Sequence, residues 1–175
     1  MWVMTEIRGV SYLPLYTPLA PFIKIPNVAA DDKSLVYAFC HTGGSTVYVG
    51  TTTGLYKYDT TTHSITPCEA FAKYKVTALM LDGHRLWIGT WQNGVKLLNL
   101  LTGEIRSYTY SESVPYTVTS NKIRNIFKSS KGIVYVSTNW GLCRYDARTE
   151  HFFPLRILNS MTDFVNVTED NNGLL

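Results

Sequence analysis

The sequence lacks the residue patterns that mark metal sites and disulfide frameworks. Its three cysteines, Cys40, Cys68 and Cys143, are widely spaced and form no Cys-x-x-Cys pair. Its four histidines match no HExxH or other paired ligand spacing. We therefore expect no metal ion and no cofactor, and we interpret the cysteines as buried or half-buried thiols.

Long hydrophobic runs are also absent. The uncharged stretch at residues 9–23 contains Pro14, Pro18 and Pro21, which would break a membrane-spanning helix. The first residues, MWVMTE, show neither a basic n-region nor an apolar h-region, although a mature or trimmed fragment would look the same. We expect no membrane helix and no signal peptide in this chain.

Charge is sparse and evenly spread. Only 17% of residues are charged, and the formal net charge of +3 comes without any dense run of lysine and arginine. Nucleic-acid tracts show such runs, so no nucleic-acid partner is expected. The remaining composition, 45% hydrophobic and 13% aromatic in 175 residues, is enough to bury the core of one globular domain.

A short pattern recurs along the chain. It consists of an aromatic residue, an apolar residue, a small or apolar residue and a threonine, and it reads WVMT, YVGT, WIGT and YVST. The aromatics lie at positions 2, 48, 87 and 135, which are 46, 39 and 48 residues apart. Periods of about 40 to 50 residues are typical of β-propellers. We predict that Trp2, Tyr48, Trp87 and Tyr135 pack between adjacent blades.

Each repeat contains the signals of four strands. A glycine follows each aromatic by six or seven residues, at 9, 54, 94 and 141, and predicts a tight hairpin into the next strand. That strand alternates in polarity and ends in a turn in which Asp59, Asn99 or Asp146 can accept backbone hydrogen bonds. Short outer strands follow, and an apolar segment with a glycine-containing turn precedes each YVGT-type strand.

The predicted fold class is therefore an all-β propeller of four-stranded antiparallel blades, with about four blades' worth of strands. We predict a partial blade over 1–34 (strands 2 to 4), blades over 35–75, 76–122 and 123–163, and the first strand of the next or closing blade over 164–175. The chain would then be either a small closed ring or a piece of a larger propeller. An incomplete ring exposes unpaired blade faces, so a homodimer is one expected assembly.

Candidate binding residues lie in loops that should share one face of the propeller. Turns at 90–94 and 138–141 carry tryptophans outside the repeated packing position, next to amides that could hydrogen-bond hydroxyl groups. The long polar connection 109–122 should emerge on the same face, where loops on a rigid scaffold often carry function. The predicted ligand-binding residues are Trp91, Gln92, Asn93, Tyr110, Tyr116, Asn139 and Trp140.

Catalysis is not indicated. The chain has no GxSxG nucleophile elbow and no phosphate-binding glycine-rich loop. Asp59 and Asp146 recur in equivalent turns, which suits turn capping better than acid–base work, and Glu112, Asp163 and Glu169 show no evident pairing. We predict no catalytic residue and no enzyme activity in this chain.

The repeated segments resemble the two-component regulator propeller repeat. Its pattern is an apolar segment, Asp-x-x-Gly, LW-[VI]-G-T, x-x-G-[LV], x-R-Y-D and T-x-x-F, and the nearest matches are TEDNNGLL, RLWIGTWQNGV and GLCRYDARTEHF. The resemblance covers nearly the whole chain in four registers. Four positions depart from the pattern: Met4 and Ser137 replace glycine, and Ser129 and Asn99 replace aspartate.

This resemblance implies a function. Such repeats form propellers, usually of seven blades, in the periplasmic sensor regions of hybrid two-component histidine kinases of Bacteroides-type bacteria. A periplasmic sensor that recognises glycan-derived oligosaccharides and regulates polysaccharide utilisation is therefore expected. Its partners would be the oligosaccharide and the neighbouring blades or domains of the parent protein. The alternative is a propeller scaffold for protein–protein interaction without a small-molecule ligand.

Overall fold

The protein is built of antiparallel β-sheets. The computed structural model describes residues 2–5, 9–12, 22–23, 25, 34–155, 163–171 and 173. Its strands form one three-stranded and three four-stranded sheets, and the only helical element among the described residues is a single 3₁₀ turn, Glu69–Phe71. The predicted all-β class with four-stranded antiparallel blades is confirmed.

The chain divides into two compact units, residues 1–76 and 77–175. The first unit holds an N-terminal sheet and a blade that we term blade A. The N-terminal sheet consists of β1 (Trp2–Thr5), β2 (Gly9–Tyr12) and β3 (Phe22–Ile23). Blade A consists of β4 (Val36–His41), β5 (Thr46–Thr51), β6 (Leu55–Asp59) and β7 (Ser64–Pro67).

Apart from Val76, the first residue of β8, the second unit holds two further blades, each with strands in sequence order across the sheet. Blade B consists of β8 (Val76–Asp82), β9 (Arg85–Thr90), β10 (Val95–Asn99) and β11 (Ile105–Tyr108). Blade C consists of β12 (Ile123–Lys128), β13 (Val134–Thr138), β14 (Gly141–Asp146) and β15 (His151–Leu155). These strands lie within the predicted blade ranges.

The turn between the third and fourth strand of each blade is closed by the predicted side chain. The Asp59 Oδ1 accepts hydrogen bonds from two backbone amides, at 2.8 and 2.9 Å. The Asn99 Oδ1 accepts from the Leu101 amide at 2.9 Å, and the Asp146 Oδ1 accepts from the Arg148 amide at 2.8 Å. All three Asx turns are confirmed, and asparagine at 99 serves as well as aspartate because only an oxygen acceptor is needed.

The repeated threonine has a structural role in the hairpin that follows it. The Thr90 hydroxyl donates to the Gly94 carbonyl at 2.7 Å and accepts from the Asn93 amide at 3.0 Å. Equivalent hydroxyl-to-carbonyl bonds close the other two hairpins, from Thr51 to Gly54 and from Thr138 to Gly141, each at 3.0 Å. Because these threonines are buried, each hydroxyl satisfies backbone groups that water cannot reach.

The small residue before that threonine lets two blades approach closely. A Cβ added at Gly89 would lie 2.6 Å from the Ile123 Cγ2, on the first strand of blade C. The WIGT motif therefore combines a buried aromatic, a contact point for the next blade and a hairpin closure. Ser137 occupies the same place in β13 and is also buried.

The hydrophobic core of the second unit lies between blades B and C. Trp87 is completely buried there, with its ring 4.8 Å from the Tyr145 ring and 6.5 Å from the Phe152 ring, both edge-on. This confirms the predicted inter-blade packing for Trp87. Tyr135 is buried and Tyr48 half-buried. The side chain of Trp2 lies outside the described residues.

The predicted strand in 164–175 is not found over its described part. Residues 163–171 contain no strand. One backbone hydrogen bond, from the Phe164 amide to the Thr138 carbonyl at 3.2 Å, joins the segment to blade C. Side chains hold the rest of it: the Glu169 carboxylate accepts from the Ser130 amide at 2.6 Å, and the Asn125 amide donates to Asn166. Residue 172 and residues 174–175 lie outside the description.

Within the described residues no helix has the length and apolar character needed to cross a membrane.

Candidate ligand-binding face

Two of the predicted loops are fixed to one short segment of backbone. The Gly94 amide, in the turn between β9 and β10, donates to the Asn121 carbonyl at 3.1 Å. The Asn139 amide, in the turn between β13 and β14, donates to the next carbonyl, that of Lys122, also at 3.1 Å. The turns at 90–94 and 138–141 therefore lie side by side at one end of the second unit, as the sequence predicted.

Trp91 lies in the first of these turns and is half-buried. The Arg124 guanidinium carbon is 4.6 Å from the centroid of its ring, and the Lys122 Nζ is 5.8 Å away. A cation at this distance is attracted to the electron-rich face of an indole ring. The ring of Trp91 is thus held by residues of the segment that enters blade C.

The Arg124 guanidinium is held in turn by Asp163. Its Nε donates to one carboxylate oxygen at 3.0 Å and its Nη2 to the other at 2.5 Å. Such a bidentate pair fixes the plane of the guanidinium as well as its position. The β12–β13 register shifts between Ile123 and Asn125, which places Arg124 at a bulge. Bulges redirect side chains, and this one accounts for a strand residue that reaches both Trp91 and Asp163.

Trp140, in the second turn, has the most exposed aromatic ring of the site. Its side chain is 57% exposed, whereas its amide is fixed to the Thr138 hydroxyl at 3.0 Å. The preceding Asn139 is half-buried, and no described residue donates a hydrogen bond to its Oδ1, which is shielded from solvent. An exposed indole on a fixed backbone suits a ligand that carries apolar faces, whereas the shielded Oδ1 of Asn139 is out of a ligand's reach in this arrangement.

Three other predicted residues lie around these turns. Gln92 and Asn93 are exposed in the Trp91 turn, with their side chains accessible to solvent. Tyr110 is 43% exposed, and its amide donates to the Asn121 side-chain oxygen at 2.8 Å. Asn121 therefore links Tyr110 and Gly94, so the start of the 109–122 connection belongs to the same face.

Tyr116 is placed differently from the other predicted residues. Its ring packs 4.9 Å from the Phe153 ring and 5.7 Å from the His151 ring, on the outer strand β15. Its carbonyl accepts from the Phe152 amide at 2.8 Å, and its φ is +63°. Tyr116 therefore attaches the long connection to blade C, and its contacts do not place it with Trp91 or Trp140.

Sequence reasoning missed four residues of this face, namely Asn121, Lys122, Arg124 and Asp163. Asn121 and Lys122 end the connection 109–122, and the segment IRNIF before the YVST strand indicates only an inner strand. Its sequence does carry a signal, because two cations directly flank the first buried residue of β12, Ile123. No sequence feature indicated that Asp163 pairs with Arg124, since the two lie 39 positions apart.

No cluster of three or more histidine, cysteine, aspartate or glutamate side chains suited to a metal ion occurs in the part of the chain that the structure describes. The sequence expectation of no metal and no cofactor stays a prediction. The chemistry that this face can offer is non-covalent: aromatic stacking, amide hydrogen bonds and charge from Lys122.

Comparison with known proteins gives matches among solved structures. No protein-family model and no curated protein matches the chain. It is similar to the extracellular domain of a candidate hybrid two-component system of B. thetaiotaomicron, with a TM-score of 0.77 and 22% identity over 98% of this chain and 22% of that one. A second such domain from the same organism gives a TM-score of 0.76 and 22% identity over 98% and 24%.

The chain has the fold of these extracellular domains. The predicted resemblance to two-component sensor propellers is confirmed at the level of fold. The chain spans less than a quarter of the length of either domain. A chain of a mitotic checkpoint complex is also similar, with a TM-score of 0.66 and 16% identity over 91% of this chain and 47% of that one. The fold alone therefore does not select a function.

Proposed function

We propose that the chain is part of the periplasmic sensor region of a hybrid two-component histidine kinase and that it binds a glycan-derived oligosaccharide through the turns at 90–94 and 138–141. Its fold is that of extracellular domains of such systems. The observation that carries the ligand class is the exposed Trp140 ring on a hydrogen-bonded turn, with the exposed amides of Gln92 and Asn93 in the adjoining turn.

Sugar rings match these groups in chemistry. A pyranose presents C–H groups on its faces, which pack on indole rings, and hydroxyl groups around its rim, which donate to amide oxygens and accept from amide nitrogens. Trp140 offers the ring face, and the exposed Gln92 and Asn93 offer the amides. Trp91, held by Arg124, offers a second aromatic surface.

The function of such a site is binding without chemistry. An oligosaccharide that contacts both turns would stabilise their present arrangement, in which the Asn121–Lys122 backbone ties blade B to blade C. A ligand can shift an equilibrium between two sensor states only by its differential affinity for them. We propose that the signal is a change in how this propeller region packs against neighbouring domains or against a second copy.

The test is calorimetric titration of the chain with a panel of oligosaccharides from plant and host glycans. We expect at least one to bind, and we expect Trp140→Ala and Trp91→Ala each to weaken that binding about tenfold or more, since stacking on one aromatic ring contributes about 0.5–1.5 kcal/mol beyond its buried area. Leu101→Ala is the matched control. That side chain is 71% exposed but lies in the turn between β10 and β11, at the other end of blade B.

Two results would contradict the proposal. Binding that neither tryptophan substitution weakens would place the ligand elsewhere. A folded sample that binds no member of the panel would favour the protein-interaction scaffold, and light scattering of the same sample would then show whether the chain associates with itself.

A further inference from the structure

A cavity of about 300 Å³ lies between blades B and C, at the end of the strands opposite the Trp91 and Trp140 turns. Its walls come from the β8–β9 turn, the β12–β13 turn and the end of β14. Its volume is at the lower end of the range for small-molecule sites. The cavity belongs entirely to the second unit and shares no residue with the face described above.

The carboxylates that line the cavity already have hydrogen-bond donors within the protein. Asp82 is nearly buried and accepts from both Arg85, at 2.5 Å, and Lys128, at 2.6 Å. Asp146 accepts from the Arg148 amide in its turn. The carboxylates of the cavity are therefore occupied by intramolecular donors.

One donor, by contrast, remains available. Arg144 lines the cavity with an exposed side chain, and its guanidinium makes no hydrogen bond to any described residue. Trp87 also lines the cavity. Its indole Nε1–H is shielded from solvent, so Trp87 offers the cavity an edge of its ring and no donor.

The remaining wall is apolar. Ile133 and Val134 line the cavity together with the ring of Trp87. A ligand that fits would thus have a small carbon skeleton and an acceptor group, since the spare polar group of the cavity is the Arg144 guanidinium. A guanidinium pairs best with a planar carboxylate, which accepts two parallel hydrogen bonds from it.

We propose that this cavity binds a small organic carboxylate no larger than one sugar acid. The carboxylate pairs with Arg144, and the carbon skeleton packs against the apolar wall of the cavity. This inference goes beyond the proposed oligosaccharide site, because it concerns the opposite end of blades B and C and a different ligand class.

The indole N–H of Trp87 supplies a direct readout. The chain has four tryptophans, so its ¹H–¹⁵N spectrum contains four indole signals, and Trp87→Phe assigns the one from the cavity. If that variant does not fold, substitution of Trp2, Trp91 and Trp140 by phenylalanine assigns it by elimination. The protein is titrated with glucuronate and with succinate, and in parallel with glucose at the same ionic strength.

We expect a saturable shift of the Trp87 indole signal with glucuronate or succinate, and none with glucose. Arg144→Gln should weaken this binding about tenfold or more, because it removes a charged partner from the carboxylate. Arg148→Gln is the matched control, since Arg148 lies in the adjoining turn but does not line the cavity. Trp140→Ala should leave the shift unchanged, which separates this site from the oligosaccharide site.

Three outcomes would overturn the inference. The first is no indole shift with either carboxylate at millimolar concentration. The second is an equal shift with glucose, which would show that the carboxylate is not recognised. The third is an unchanged affinity in Arg144→Gln.

Discussion

The Arg124 guanidinium lies 4.6 Å from the centroid of the Trp91 ring, while Asp163 holds it by two hydrogen bonds. A residue of blade C thereby fixes an aromatic ring of blade B. The ring is positioned before any ligand arrives, which lowers the entropy lost on binding. Three segments far apart in sequence, at 91, 124 and 163, meet in this arrangement.

Loss of Arg124 should release the Trp91 ring. We expect Arg124→Gln to increase acrylamide quenching of Trp91 fluorescence, measured in a Trp140→Phe background that removes the exposed indole. The free energy of unfolding should fall by only about 1 kcal/mol or less, because the ion pair is partly exposed. The control is Arg106→Gln, which removes an arginine that pairs with Glu104 and Glu150 and for which no contact with an indole ring is described. Equal quenching in both variants would contradict the role assigned to Arg124.

Gly94 should tolerate no side chain. Its φ is +67°, and an added Cβ would overlap the Tyr108 carbonyl oxygen. Gly83 has a similar φ of +60°, but nothing lies within 4 Å of its Cβ position. Gly83→Ala should therefore cost about 1–2 kcal/mol, the price of the left-handed conformation alone. Gly94→Ala should cost considerably more, because the turn must also move. Urea unfolding of the two variants measures the difference, and similar losses would show that the turn relaxes freely.

The repeated threonine should contribute more to the free energy of unfolding than the size of its side chain suggests. Thr90→Val keeps the shape of the side chain but removes the bond to the Gly94 carbonyl and leaves the Asn93 amide without its acceptor. We expect a loss of about 1–3 kcal/mol, as is typical when a buried group is left unsatisfied. Thr109→Val, at an exposed position with no described hydrogen bond, should change the free energy of unfolding by less than about 0.5 kcal/mol. Thermal unfolding of both variants provides the measurement.

The fold was predictable because each of its parts has a local signal. The WIGT segment combines the aromatic that packs between blades, the small residue at the blade contact and the threonine that closes the hairpin. The Asx turns at Asp59, Asn99 and Asp146 need only an acceptor at one position. The period of the repeat then places these signals in register, so that neither a homologue nor a template is required.

The candidate site was predictable only in part. The turns at 90–94 and 138–141 follow from the hairpin positions, and they do adjoin. The direction of Tyr116 does not follow from any period, because it lies in a 14-residue connection (109–122) whose backbone takes a positive φ at that point. The position of Arg124 could not be predicted because it lies at a bulge. A bulge interrupts the alternation of side chains by which a strand residue is assigned to one face of a sheet.

Cys143 should be the least reactive of the three thiols. It is completely buried, and that burial raises its pKa, an effect that hydrogen bonds from Thr119 only partly oppose. Since the thiolate is the reactive form, a raised pKa and a lack of access act in the same direction. With Ellman's reagent at pH 8 we expect Cys143 to react only on unfolding, whereas Cys40 and Cys68, which are half-buried, react earlier. Cys143→Ser should leave the rapid phases unchanged, and loss of a rapid phase in that variant would refute the assignment.

Asp82 should contribute to the acid stability of the second unit. Its burial raises the pKa, but hydrogen bonds from Lys128 and Arg85 and their charges outweigh this, and the net pKa lies below its usual range. A lowered folded-state pKa gives stability that is complete above the unfolded value, near 4, and is lost as the pH falls through the folded value. Asp82→Asn should therefore lower the free energy of unfolding at pH 7 by about 1–2 kcal/mol.

Because asparagine does not titrate, the loss caused by Asp82→Asn should shrink as the pH falls below 4, and the two proteins should converge. Asp163→Asn is the matched control: it breaks another carboxylate–arginine pair, but its side chain is 44% exposed against 13% for Asp82, so its effect at pH 7 should be smaller. Urea unfolding from pH 7 to pH 2.5 measures both. A difference between wild type and Asp82→Asn that stays constant over this range would show that the carboxylate contributes packing alone and that its ion pairs with Lys128 and Arg85 do not stabilise the junction of blades B and C.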